Sequence, residues 1–255
     1  MMKRESLIDK NSGIPYLKYT PQTLPIKGSI LYLHGIGERG SDITLVEHNE
    51  IPKQMSTIEV PYIVIAPQLP LNQSGWWENF TNPMVALMKT MPGHKHLTGI
   101  SLGGMRSTVI LAENPGVFDS ASTVCGTNDV PMMGQAFMRV LDTELTRIPT
   151  THYYDPLDKT IENGSGYTSI KSMCDQYSGI ADITFNNINL PGPDHHSIWS
   201  IAYQQQNFWA WLDSKVSPLP AAVPDPVVSW NLLNGILVGT TQSGKKVSIT
   251  PASIQ

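Results

Sequence analysis

At 255 residues, 40% hydrophobic and 15% charged, the chain is long enough for one large α/β domain and too apolar to be disordered. A formal net charge of −4, with no basic cluster beyond short groups such as Lys245 and Lys246, excludes the electrostatic footprint of a nucleic-acid or anionic-membrane binder. The 20 prolines argue for many loops and exclude a coiled coil.

From the N-terminus, MMKRESLIDKNSG has basic residues but no apolar segment behind them, so no secretory signal is expected. No run of about 18 apolar residues is present to span a membrane, and the chain is expected to be soluble, its compartment left open. The segments LID and IPYLKY read as two short strands around the polar turn KNSG. GSILYLHG, residues 28–35, lacks polar alternation, as expected for a strand covered by helices on both faces, and YIVIA at 62–66 repeats that signature. The stretch from His96 to Ile100 is a third buried strand, with helices expected at Ile43–Gln54, Asn82–Thr90 and Leu102–Glu113.

Further apolar segments at 120–126 and Ile148–Tyr154, with a helix over 136–147 between them, extend a parallel sheet. A helix near Tyr167–Tyr177, a strand, a histidine-bearing loop and a helix at 202–215 follow. SPLPAAVPDP, 217–226, is a proline-rich linker, and residues 227–255 read as two or three antiparallel strands with turns at Asn234–Gly235 and Ser243–Gly244. The domain reading is therefore a main domain over 1–216, the linker, and a small β appendage too short to bury its own core. The appendage is expected to be dispensable for chemistry, its open edge offering a route to self-association. Cys125 and Cys174 form no disulfide framework and read as buried thiols.

The chemistry gathers at LTGISLGG, where Gly99, Ser101 and Gly103 make the spacing GxSxG. Such a turn between strand and helix lifts a serine hydroxyl clear of the backbone and points the free N–H groups of the helix at it. A serine needs a base and an acid that orients it, and the chain order serine, acid, histidine is available downstream.

Taken with LYLHGIGERGSD, IVIAPQLP followed by Trp76 and Trp77, and IPTTHYYDPLDKTI, this elbow resembles the α/β-hydrolase group of feruloyl-esterase-like carbohydrate esterases and related predicted peptidases, a dienelactone-hydrolase-like set, over residues 16–215. The resemblance implies the α/β-hydrolase fold, a mostly parallel central sheet flanked by helices, and a serine esterase acting on small-molecule or polysaccharide-linked esters without cofactor or metal. It implies Ser101 as nucleophile and Asp158 as acid, with Asp155 a rival because Tyr154 and Asp155 stand where the group has HG. Counting back from Trp199 along HxxW selects His196; counting forward from Pro191 and Gly192 selects His195, and His196 is preferred. The oxyanion donors are the amides of Ile36 and Leu102.

Trp76 and Trp77 are expected to touch substrate, and Trp199 to pack. His34, His94 and His96 read as structural, and Glu38 and Arg39 as a pair holding their loop. A peptidase or amidase on the same fold, and a non-catalytic binding module, are the competing readings.

Overall fold

A strand buried on both faces must send successive side chains into two different cores, and β3 (Gly28–Leu33) does so. Leu31 and Leu33 enter one apolar cluster while Ile30 and Tyr32 enter the other. Ile63 and Ile65 of β4 (Tyr62–Pro67) join the first cluster, and Tyr62, Val64 and Ala66 the second. The computed structural model describes residues 1–128, 130–161, 165–190, 195–216, 227–233, 236–241 and 246–249. The linker at 217–226, the Pro191–Gly192 pair and the two appendage turns lie outside the described residues.

The main sheet has eight strands in the order β1-β2-β4-β3-β5-β6-β7-β8. β1 (Lys3–Ile8) and β2 (Pro15–Thr20) are the antiparallel edge hairpin anticipated around KNSG, and β2 pairs antiparallel with β4. From β4 through β3, β5 (His94–Ile100), β6 (Ser120–Val124), β7 (Thr150–Tyr154) and β8 (Ile183–Asn187) every pairing is parallel.

The first core lies under helices α2 (Glu78–Thr90), α3 (Leu102–Glu113), α4 (Gln135–Arg147) and α5 (Ser165–Tyr177), through residues such as Met84, Ile110, Leu141 and Ile170. The second lies under α6 (His195–Ala202) and α7 (Ala210–Lys215), through Ile198, Trp199 and Leu212.

Three helices differ from expectation, α2 by starting four residues early, at Glu78. The 43–54 segment is a 3₁₀ turn at Ile43–His48 and a five-residue helix α1 at Glu50–Gln54, divided where Glu50 takes φ 43°. The final helix begins seven residues early, at His195, and is divided from α7 by a π turn at Gln205–Trp209. That early start sets the position of a site histidine.

Across the sheet runs a buried polar ladder. His96 is fully buried and reaches Ser120 Oγ at 2.7 Å and Ser122 Oγ at 3.1 Å, while Ser122 donates to Thr98 Oγ1, itself 2.7 Å from Tyr203 OH. His94 shares Ser120 from the other side at 2.6 Å, so both histidines are strand-pairing groups.

The chain divides into two compact units, 1–216 and 217–255. The described part of the second is a three-stranded antiparallel sheet, β9 (Val227–Leu233), β10 (Ile236–Thr241) and β11 (Lys246–Ile249), with β10 in the middle.

Candidate active site

Because β3, β5, β6 and β7 run parallel, their carboxyl ends open on one edge, where ligands bind in such sheets. His34, Ser101, Cys125 and Asp155 are the first residues past those ends.

Ser101 sits between β5 and α3 at φ 48° and ψ −114°, a conformation side-chain-bearing residues rarely adopt. Its amide donates to Val124 O at 2.9 Å and its carbonyl accepts from the Met105 amide at 2.8 Å, which hold the turn from both sides. The glycines are there for contact: a Cβ on Gly99 would lie 2.5 Å from Gly103 C, and one on Gly103 only 2.1 Å from Leu33 O. Strand β3 and helix α3 can therefore approach only through a missing side chain.

Asp158 and Asp155 are separated by their partners. Asp155 is fully buried and accepts the amides of Leu157 at 2.9 Å and Leu190 at 2.7 Å, so its carboxylate ties the turn after β7 to the segment after β8. Asp158 accepts the Thr160 amide at 2.9 Å on one oxygen and meets His195 Nδ1 at 2.6 Å on the other. Burial alone would raise the Asp158 carboxyl, but the bonds from His195 and Thr160 outweigh it and hold the group below its ordinary value.

The histidine on the acid is thus His195, which corrects the preference for His196. Helix α6 begins at His195, placing it one turn before Trp199 with ring centroids 5.1 Å apart, and its Nε2 is buried without a protein partner. His196 is exposed, packs edge-on against Trp199 at 4.5 Å, and borders the same cleft.

Cys125, expected only as a buried thiol, also belongs here. It takes φ 51° at the end of β6, and its sulfur, an Asp158 oxygen and a His195 ring nitrogen lie within 4.8 Å of one another. Burial, and then the charge of Asp158, push the thiol well up, so it stays protonated beside the carboxylate. The available signal was its place at the end of the strand beside β5.

The opposite wall is the loop after β3. His34 is fully buried; its Nε2 accepts the Leu69 amide at 3.0 Å and its Nδ1 donates to Gly35 O at 2.5 Å. Burial lowers its pKa to about 4, keeping it neutral. Ile36 opens the 3₁₀ turn Ile36–Glu38 and Leu102 is the first residue of α3, so neither amide has an acceptor within its own helix.

Arg39 does not pair with Glu38. It donates to Ile36 O at 2.9 Å and Gln73 O at 2.5 Å, which steadies the loop, while Glu38 turns inward to Asn49 and borders the cleft.

Two cavities flank the elbow. One of about 430 Å³ is bordered by Ile36, Glu38, Ser101, Thr160 and His195. The other, about 420 Å³, is bordered by Trp77, Leu102, Met105, Met132 and Met133. Trp77 is half-exposed on that second rim, whereas Trp76 is 1% exposed and donates its indole N–H to His34 O at 3.0 Å. Trp76 thus fixes the end of β3 while it also borders the second cavity beside Trp77.

The strand order, the antiparallel edge and the serine turn after β5 together define the α/β-hydrolase fold. Solved structures similar to this chain share it, although no protein-family model and no curated protein sequence matches. A thermostable esterase aligns with TM-score 0.61 and 22% identity over 84% of this chain and 62% of its own. Acyl-protein thioesterase 2 of Zea mays gives 0.56 and 14% over 79% of this chain and 99% of its own; a ferulic acid esterase gives 0.52 and 13% over 80% and 95%.

Among the described residues, no helix is long and apolar enough to cross a membrane.

Proposed function

We propose that the protein is a serine hydrolase that cleaves carboxylic esters through an acyl-enzyme, of the feruloyl or acetyl carbohydrate esterase type. The observation that carries this reading is the pairing of His195 Nδ1 with Asp158, which leaves His195 Nε2 free on the cavity wall it shares with Ser101. In this mechanism Ser101 Oγ attacks the ester carbonyl as His195 Nε2 takes its proton. Asp158 holds the ring with N–H at Nδ1 and stabilises the imidazolium. The amides of Ile36 and Leu102 receive the oxyanion. Collapse passes the proton from His195 to the leaving alcohol; water, activated by the same nitrogen, then releases the acid and restores the serine.

Proton delivery fixes the orientation of the substrate. The alcohol must leave on the His195 side, in the cavity with Glu38 and Thr160, so the acyl group extends past Leu102 into the methionine-lined cavity beside Trp77. An apolar acyl group such as an aromatic acid suits those walls. The names of the similar structures, two of them esterases, agree with this reading.

Fluorophosphonate labelling tests it directly: the probe should attach to Ser101 and to nothing in Ser101→Ala. That variant should lose about 10⁴-fold or more in turnover on p-nitrophenyl esters while melting like the parent. Methyl ferulate and acetylated xylan in the same panel then rank the natural ester. Labelling elsewhere, or full turnover in a folded Ser101→Ala, would refute the assignment.

A further inference from the structure

The alcohol-side cavity contains a carboxyl group that the hydrolytic steps do not use. Glu38 is 4% exposed, with Oε1 taken by the Asn49 side chain and Oε2 buried without a hydrogen-bond partner. Glu38 and the reacting serine border the same cavity. A point beside Gly35, where a Cβ would stand, is 3.3 Å from Glu38 Oε2 and 3.7 Å from Ser101 Cβ.

Neither His34 nor Arg39 compensates the carboxyl. His34 Nδ1 is 3.7 Å from Oε2 and already donates to Gly35 O, and Arg39 is engaged with two backbone carbonyls. An unpaired buried oxygen is desolvated without compensation, a cost removed if a ligand supplies the missing partner. Burial raises the pKa of Glu38 against the lowering effects of Asn49, of the backbone at Glu38 and Gly35, and of His196, which suits a neutral partner better than a cationic one.

Resting on the esterase reading above, we propose that Glu38 is a specificity-determining residue whose Oε2 hydrogen-bonds a hydroxyl on the alcohol half of the ester. Esters of polyols and sugars would then be cleaved in preference to esters of simple alkanols. A site with a partner-seeking polar group rejects the analogue that lacks the matching hydroxyl, because the group is then desolvated for nothing.

The test is a matched pair sharing one acyl group, 2-hydroxyethyl benzoate and propyl benzoate, with benzoylcholine as a cationic third. In the parent enzyme kcat/KM should favour the hydroxyethyl ester over the propyl ester by at least about tenfold. That ratio should collapse toward one in Glu38→Leu and fall partway in Glu38→Gln, which keeps the shape and the Asn49 contact. A parent ratio near one, a ratio unchanged in either folded variant, or a preference for benzoylcholine would overturn the inference while leaving the esterase reading intact. If neither benzoate is cleaved and fluorophosphonate fails to label Ser101, both readings fall together.

Discussion

His195 and Asp158 each stand beside a residue of the same type that does something else, so substitution should separate the roles. His195→Ala should lower turnover by about 10³-fold or more, because it removes the base, while His196→Ala should lose about tenfold at most. Asp158→Asn should act on turnover with a near-native melt. Asp155→Asn should act on the melt, since the amides of Leu157 and Leu190 lose a charged acceptor, at about 1–3 kcal/mol. Turnover and thermal unfolding measured on all four variants decide this; a larger turnover loss at His196 than at His195 would restore the register counted back from Trp199. The sequence allowed both histidines because the deciding fact is where α6 begins, a matter of helix start rather than residue type.

Strands and helices were the more legible layer. Runs without polar alternation, such as ILYL in β3 and YIVIA in β4, read correctly as doubly covered strands because burial on both faces leaves no polar side. What the pattern could not show was partner choice: which way Trp76 turns, that Glu38 leaves Arg39 for Asn49, and that Ile43–Gln54 is interrupted at Glu50. These are tertiary contacts with no period of their own. The approach of β3 to α3 gives an element-scale prediction. Gly103→Ala would place a methyl 2.1 Å from Leu33 O, and because both neighbours are backbone the strand and helix must separate. That overpacking should cost about 1–3 kcal/mol of stability. It should also lower turnover, since Leu33 leads into the loop carrying the Ile36 amide and Gly103 follows the Leu102 amide. Parent-like melting and kinetics in Gly103→Ala would mean that the two backbones are not in contact.

Across the whole molecule, four histidines lie in the sheet or at its edge with their charged forms suppressed by burial: His34, at about 4, His152, at about 3, His96, well below its ordinary value, and His94, also lowered. Unfolded histidine titrates near 6.5, so between roughly pH 6.5 and 4 the unfolded chain binds protons that the folded chain refuses. The resulting stability is fully present above about pH 6.5 and is lost as the pH falls toward the folded values. Four such groups give a slope of at most about 5.5 kcal/mol per pH unit once the unfolded imidazoles are charged. The raised carboxyls of Glu38, Glu50 and Glu113 act in the opposite sense, each protonating more readily when folded, and blunt the lower end of that window. Urea unfolding at pH 7.0, 6.0 and 5.5 should therefore show a midpoint that drops steeply before ordinary carboxylates begin to titrate. His152→Gln, which removes one of the four groups, should lower that slope by about a quarter, provided the variant keeps the parent urea m-value. A midpoint flat from pH 7 to 5.5 would mean that these imidazoles accept protons in the folded sheet, and the polar ladder of His96, Ser120 and Ser122 would need a charged form to match.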